Sequence, residues 1–152
     1  MISISSLQKK IVKVLPKIVR KNLPREITIV IIQEDVSRRL NRTYRSHDYP
    51  TNVLSFRYGD EYGEILLCLA VIRREARSYK QSFEYQRAWM IVHGVMHLAK
   101  MHHEQSRAAE KKFKHLEQEL LTKLFASLSH GVHFPHGIRH RHLNGADRCC
   151  PS

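Results

Sequence analysis

His93-Gly94-Val95-Met96-His97-Leu98-Ala99-Lys100-Met101-His102-His103 is the segment on which the reading of this chain turns. From Phe83 to about Lys100, the residues Trp89, Val92, Met96 and Ala99 form an apolar stripe of helical period. On that helix His93 and His97 are separated by about 400° of rotation, so both imidazoles leave from nearly the same side, one turn apart. Two nitrogens so placed can reach one ion at roughly 2.0–2.1 Å. His103 cannot continue the same row. The chain must leave the helix and fold back to bring it across from the pair. Three protein nitrogens leave a fourth position open, as in catalytic zinc sites, whereas structural zinc sites are closed by four protein ligands. Zinc held in this way lowers the pKa of bound water to about 7. A lone H-x-x-x-H on an amphipathic helix is common without any metal; the third histidine is what separates this segment from that background. Gly94 stands where an H-E-x-x-H peptidase needs its glutamate base, so a peptidase reading loses its usual general base.

Working outward from this helix, the chain reads as alternating short elements. Ser5 and Ser6 precede an amphipathic helix with Leu7, Ile11, Val14, Leu15 and Ile18 on one side, ending near Asn22-Leu23-Pro24, with a kink expected at Pro16. Ile27–Ile32 is β-branched and reads as a strand. A helix opening at Glu34 or Asp35 carries Val36, Leu40 and Tyr44 on one side and Arg38, Arg39 and Arg42 elsewhere. Arg45–Asn52 reads as a loop, Val53–Phe56 as a second strand and Ile65–Leu69 as a third, the last two forming a hairpin across Gly59 and Gly63. A helix follows from about Val71 to Lys80. The last helix spans roughly Ser106–Phe125 with Phe113, Leu116, Leu120 and Leu124 on its buried side. The chain divides as a globular domain over 1–127 and a tail over 128–152. The tail holds His130, His133, His136, His140 and His142 among glycines and prolines, and its composition reads as a disordered extension whose histidines bind metal at most adventitiously.

Composition narrows the function classes. The 152 residues make one domain. Neither long apolar run reaches the roughly 20 residues a membrane span needs, and the lysine-studded N-terminus is not a signal peptide. Cys68, Cys149 and Cys150 make no disulfide framework and no C-x-x-C, which fits a reducing cytoplasm. Lys and Arg total 26 against 14 Asp and Glu, a net charge of +12. Residues 1–45 alone carry 11 basic and 3 acidic side chains, a local +8. Such a field draws polyanions. Acidic membranes are a weaker fit, because the first helix lacks large aromatic anchors.

The histidine segment resembles the signature H-G-x-L-H-L-x-G-(aromatic)-D-H of the YbeY endoribonuclease family, through His93, Gly94, His97, Leu98 and His103, with Met96 at a Leu position. A second stretch, Leu40-Asn41-Arg42-Thr43-Tyr44-Arg45 through Pro50-Thr51-Asn52-Val53-Leu54-Ser55-Phe56, is similar to the family's L-N-x-x-Y-R-x-x-x-x-P-T-D-V-L-S-F, and Gly63-Glu64-Ile65 to its following strand. The resemblance covers about residues 27–125. It implies an α+β domain with a small mixed four-stranded sheet and about five helices, one zinc ion on His93, His97 and His103, and a cytoplasmic single-strand endoribonuclease. It also implies ribosomal RNA maturation, including the 3′ end of small-subunit rRNA, and ribosome quality control. The family's important arginine falls on Arg45. A guanidinium beside an open metal position can bind a phosphate bidentately and stabilise the charge of its transition state; the plainer alternative is a surface arginine at a helix end. Ser55 is weighed between a substrate donor and a backbone partner.

The segment departs from the signature at Lys100 for Gly, Met101 for an aromatic and His102 for Asp. The glycine position calls for a left-handed backbone, which costs a lysine roughly 1 kcal/mol. His102 is a candidate base in place of the aspartate, a competitor of His103 for the ion, or a solvent-facing side chain; family spacing selects His103 as the ligand. Lys9, Lys13, Lys17, Arg38, Arg39 and Arg42 are the candidate RNA-facing residues. The main competing reading is a non-catalytic RNA- or ribosome-binding assembly factor with a structural metal site. A metal hydrolase acting on peptides or small esters is disfavoured by the missing glutamate and the basic N-terminal segment.

Overall fold

Three short stretches pair into one sheet in the computed structural model, which describes residues 2–128. They are β1 (Glu26–Ile31), β2 (Val53–Tyr58) and β3 (Tyr62–Leu67). Their order is β1-β3-β2. Central β3 runs parallel to β1, with Ile29 opposite Ile65, and antiparallel to β2, with Ser55 opposite Ile65. The β2–β3 hairpin turns through Gly59, whose φ of 71° lies in the left-handed region that glycine enters without a Cβ penalty. Six helices complete the domain: α1 (Ile4–Val14), α2 (Lys17–Lys21), α3 (Glu34–Arg45), α4 (Leu69–Ser78), α5 (Phe83–Leu98) and α6 (Arg107–Leu128).

The mixed α+β class agrees with expectation, and the four-stranded sheet does not: the described residues hold three strands, the same three apolar stretches that the residues themselves indicated. The helix count is six rather than five because Pro16 breaks the N-terminal helix instead of kinking it. The residue before a proline is pushed out of the α region, and Leu15 is extended at ψ 139°. The break re-aims the next turn, so Ile18, expected on the apolar side, is 75% exposed while Val19 is buried. The helix is capped by Ser3 rather than Ser5 or Ser6: Ser3 Oγ accepts from the Ser6 amide at 3.2 Å. Leu128, assigned above to the tail, closes α6; the histidines from His130 onward lie outside the described residues. No helix among the described residues is long and apolar enough to cross a membrane.

Strand alternation sorts the sheet into two faces. Ser55, Arg57, Gly63 and Ile65 point to α5: Ser55 Oγ donates to the Gly94 carbonyl at 3.4 Å, and Arg57 donates to the Leu98 carbonyl. Phe56 points the other way and meets Tyr44 of α3, ring centroids 5.0 Å apart. The core lies on the α5 side. Met90, Ile91, Val92, Val95, Met96 and Leu98 are all buried there, so α5 is covered nearly all round, between the sheet, α4 and α6. Glu75 of α4 ties this layer to the start of β2. It accepts from Asn52 Nδ2 at 2.9 and 3.0 Å and from Gln86 Nε2 at 2.9 Å, while burial pushes its carboxyl above the ordinary range.

Candidate metal centre

The site begins with a close approach. A Cβ on Gly94 would lie 2.9 Å from Ser55 Oγ and 3.0 Å from Ile65 Cγ2, so only glycine lets α5 sit this near β2 and β3. That contact fixes the height of the turn carrying His93 and His97. The helix then stops as its terminal hydrogen bonds require. Lys100 N donates to the His97 carbonyl at 3.0 Å and Met101 N to Met96 at 3.1 Å, with Lys100 at φ 63°. This is a Schellman closure with lysine in the left-handed place usually taken by glycine, and it turns the chain back so that His103 faces the helix.

The three expected ligands meet. One nitrogen from each of His93, His97 and His103 lies within 4.8 Å of the others. His97 Nε2 and His93 Nε2 are 3.1 Å apart. His97 is 3% exposed, and the other two are half-buried. Phe113 of α6 stands against all three rings, at centroid distances of 5.2, 5.2 and 5.0 Å. Burial, then the charges of His93, His103, His102 and Arg45, hold the His97 pKa down to about 2. The ring is therefore neutral in ordinary buffers and keeps a lone pair for a ligand.

Glu117 of α6, which the sequence reading passed over, completes the arrangement. Its Oε1 lies 2.7 Å from His93 Nδ1, and its side chain is 8% exposed. A carboxylate there makes Nδ1 the protonated nitrogen and turns the Nε2 lone pair of His93 inward, as second partners of metal-bound histidines do. The signal was present: Glu117 is four residues after Phe113 and three before Leu120, an acid within the apolar row of α6. These residues fit a divalent ion. His97, almost fully buried, has another imidazole nitrogen as its hydrogen-bonding contact, a poor exchange for water. Nitrogens bound tetrahedrally to one zinc at roughly 2.0–2.1 Å lie about 3.4 Å apart, so the widest pair of the cluster, at up to 4.8 Å, would close by up to roughly 1.4 Å around an ion.

The remaining candidates fall in different places. Arg45, at the last turn of α3, donates from an NH2 nitrogen to the Val53 carbonyl at 3.3 Å, and its charge is felt at His97. His102 flanks the cluster, its ring 6.0 Å from that of His97, without joining the three converging nitrogens. Ser55 is buried and bonds the Gly94 carbonyl. Arg38, Arg39 and Arg42 are exposed along α3, where Arg38 and Arg42 also pair with Asp48, at 3.0 and 3.7 Å. Together with Glu34, Asp35 and Pro50 these arginines line a shallow cavity of about 550 Å³. Lys9, Lys13 and Lys17 are exposed on α1 and α2. α1 packs on α5 and α6, whereas Tyr44 of α3 meets Phe56 on the opposite face of the sheet.

Fold and site together define a small α+β domain whose central helix presents a three-histidine centre able to hold a metal ion. Residues 2–125 match the family described as endoribonuclease YbeY. The chain belongs to that family. It is 38% identical over 109 residues to the endoribonuclease YbeY of Aquifex aeolicus, covering 68% of this chain and 73% of that one. It is 32% identical over 114 residues to the protein of the same name from Thermotoga petrophila, covering 72% and 76%. It is 41% identical over 103 residues to that from Cupriavidus necator, where the match spans 64% of this chain and about half, 52%, of the relative. The solution structure of TM1509 from Thermotoga maritima is similar in fold, with a TM-score of 0.58 and 27% identity over 84% of this chain and 87% of that one.

Proposed function

We propose that this protein is a zinc-dependent endoribonuclease that cleaves single-stranded RNA, acting in the cytoplasm on ribosomal RNA during maturation of the small subunit and in ribosome quality control. The observation that carries the reading is the convergence of His93, His97 and His103 nitrogens within 4.8 Å, beside Arg45. The names of the relatives supply the substrate class, and the charge of +12 suits a polyanion.

His93, His97 and His103 would hold the ion. When bound, zinc would supply a Lewis acid and a water of pKa about 7. The chain's own residues do the rest. Glu117 keeps His93 in the tautomer that offers Nε2. Phe113 packs against the imidazoles and limits water around them. Arg45 binds a non-bridging phosphate oxygen and offsets the charge that builds during cleavage. His102, beside the cluster with its ring 6.0 Å from that of His97, would exchange protons with the leaving group. Arg38, Arg39 and Arg42 hold flanking phosphates, and Lys9, Lys13 and Lys17 add long-range attraction.

Elemental analysis of the purified protein should give one zinc per chain, and His97→Ala should abolish cleavage of a labelled single strand. Undiminished cleavage by a metal-free His93→Ala/His97→Ala variant would overturn the reading. The histidine at position 102, where the family signature has aspartate, favours a second reading: a non-catalytic RNA-binding assembly factor with a structural metal. That reading predicts salt-dependent RNA binding without turnover, and loss of thermal stability on chelation.

A further inference from the structure

The face of the sheet turned away from α5 carries aromatic rings where a water-facing sheet usually carries polar side chains. Phe56 and Tyr58 on β2 alternate with residues that face the core, and Tyr62 lies opposite Tyr58 on β3. Tyr58 and Tyr62 are stacked, centroids 5.7 Å apart at an interplanar angle of 21°. Tyr44 of α3 stands edge-on to Phe56 at 5.0 Å. Tyr58 is 56% exposed and Tyr44 is 49% exposed. The rings are held in place rather than loose: Glu64, between them on the same face, accepts from the Tyr62 hydroxyl at 2.8 Å and from the Tyr58 hydroxyl at 3.3 Å.

Two features select the occupant. The first is charge: α3, which supplies Tyr44, also exposes Arg38, Arg39 and Arg42 on its other sides, two of them shared with Asp48, so phosphates flanking the aromatic face meet them around the helix. The second is continuity with the centre. Tyr44 and Arg45 are consecutive, yet Tyr44 reaches the outer face while Arg45 reaches the Val53 carbonyl and is felt at His97. A strand whose phosphate lies at Arg45 would meet Tyr44 with its next nucleotide, and Tyr58, five residues along β2 from Val53 or roughly 17 Å away, several nucleotides further on.

We propose that Tyr44, Phe56, Tyr58 and Tyr62 form a stacking platform for the unpaired bases of RNA flanking the site of cleavage. The inference rests on the nuclease reading and adds to it how unpaired RNA is told from duplex. Stacking on aromatic rings accepts any base but requires that bases be splayed out of a helix. The phosphates and the bases are thus read by different groups, arginines for the former and tyrosines for the latter.

The test is fluorescence anisotropy of the full chain with a short oligoadenylate, an abasic oligomer of the same length and an RNA duplex, across a salt series. Wild type should bind the oligoadenylate about tenfold or more tighter than the abasic strand. Tyr58→Ala/Tyr62→Ala and, separately, Tyr44→Ala should remove most of that difference. They should leave the salt slope, which counts phosphate contacts, unchanged. Tyr58→Phe/Tyr62→Phe should bind as wild type, because the rings and not the hydroxyls do the stacking. Equal binding of oligoadenylate and abasic strand by wild type overturns the platform without any variant having to fold. So does full affinity in the alanine variants, or a change in their oligomeric state with RNA affinity intact, which would assign the face to a second copy of the chain. If wild type cleaves RNA but shows no base dependence, the platform fails and the nuclease stands. If wild type neither binds nor cleaves single strands, both fail.

Discussion

Glu117 Oε1 and His93 Nδ1 lie 2.7 Å apart, joining α6 to α5 across the base of the histidine cluster. The bond links the identity of one imidazole's protonated nitrogen to the docking of a helix 24 residues further along the chain. Glu117→Gln keeps the size and removes the charge. It should weaken zinc binding by about 10- to 100-fold, measured by competition with a chromogenic chelator, while the fold persists by circular dichroism. Unchanged affinity would show that the carboxylate does not orient the ligand.

Arg45 should behave as a group that acts on substrate and not on the ion. Arg45→Ala should lower kcat by about 100-fold or more with the zinc content still at one per chain. Arg45→Lys should recover little of the loss, since an ammonium cannot make the planar two-point contact with phosphate. A drop in zinc content would move Arg45 from the reaction to the support of the site.

Lys100 pays for its left-handed backbone, φ 63°. Lys100→Gly should stabilise the protein by roughly 0.5–1 kcal/mol, seen as a higher urea midpoint at unchanged slope. The exposed contact of Lys100 Nζ with Asp60, 3.6 Å, is too screened to reverse the sign.

Gly94→Ala places a methyl 2.9 Å from Ser55 Oγ and 3.0 Å from Ile65 Cγ2. It should cost about 1–3 kcal/mol and loosen zinc binding by lifting the turn that bears His93 and His97. Adding Ser55→Ala should restore part of the stability, because the hydroxyl is the nearer obstacle. Failure of the double variant to recover would place the strain at Ile65.

The metal-free protein should be acid-sensitive. The His97 pKa is held down to about 2 in the fold against an ordinary value of 6.5. Below the ordinary value the unfolded chain takes up a proton that the folded chain refuses, so stability falls as pH drops from about 6.5 toward 2. Urea midpoints of chelated protein at pH 7.5 and 5.5 should show the decline. His97→Phe, which removes this titration, should flatten it.

Much of this architecture was legible in the residues. The β-branched run at 27–32 and the short, largely apolar runs at 53–56 and 65–69 mark the three strands within a few residues, since short apolar stretches bounded by turn residues have few alternatives. The fourth strand was imported by resemblance, and no further stretch of that kind supports it among the described residues. His93 and His97 were legible because helix geometry alone brings them together; that a third histidine must fold back was legible from spacing, and the choice of His103 over His102 came from the family resemblance. Glu117 was not, because an acid in a helix usually faces water, and only tertiary packing shows that this one meets an imidazole. Nor do charge counts say which element carries each basic residue: Lys9 and Lys13 fall on α1, Lys17 on α2, and Arg38, Arg39 and Arg42 on α3.

Phe113 and Glu117 reach the histidines from the last described helix. During synthesis the three imidazoles therefore emerge before the two side chains that order them. A nascent or prematurely ended chain that has made the histidines but not α6 has the ligands without their scaffold. Order at the centre therefore waits for α6 to dock, and a chain cut short before Phe113 should keep all three imidazoles yet bind zinc weakly.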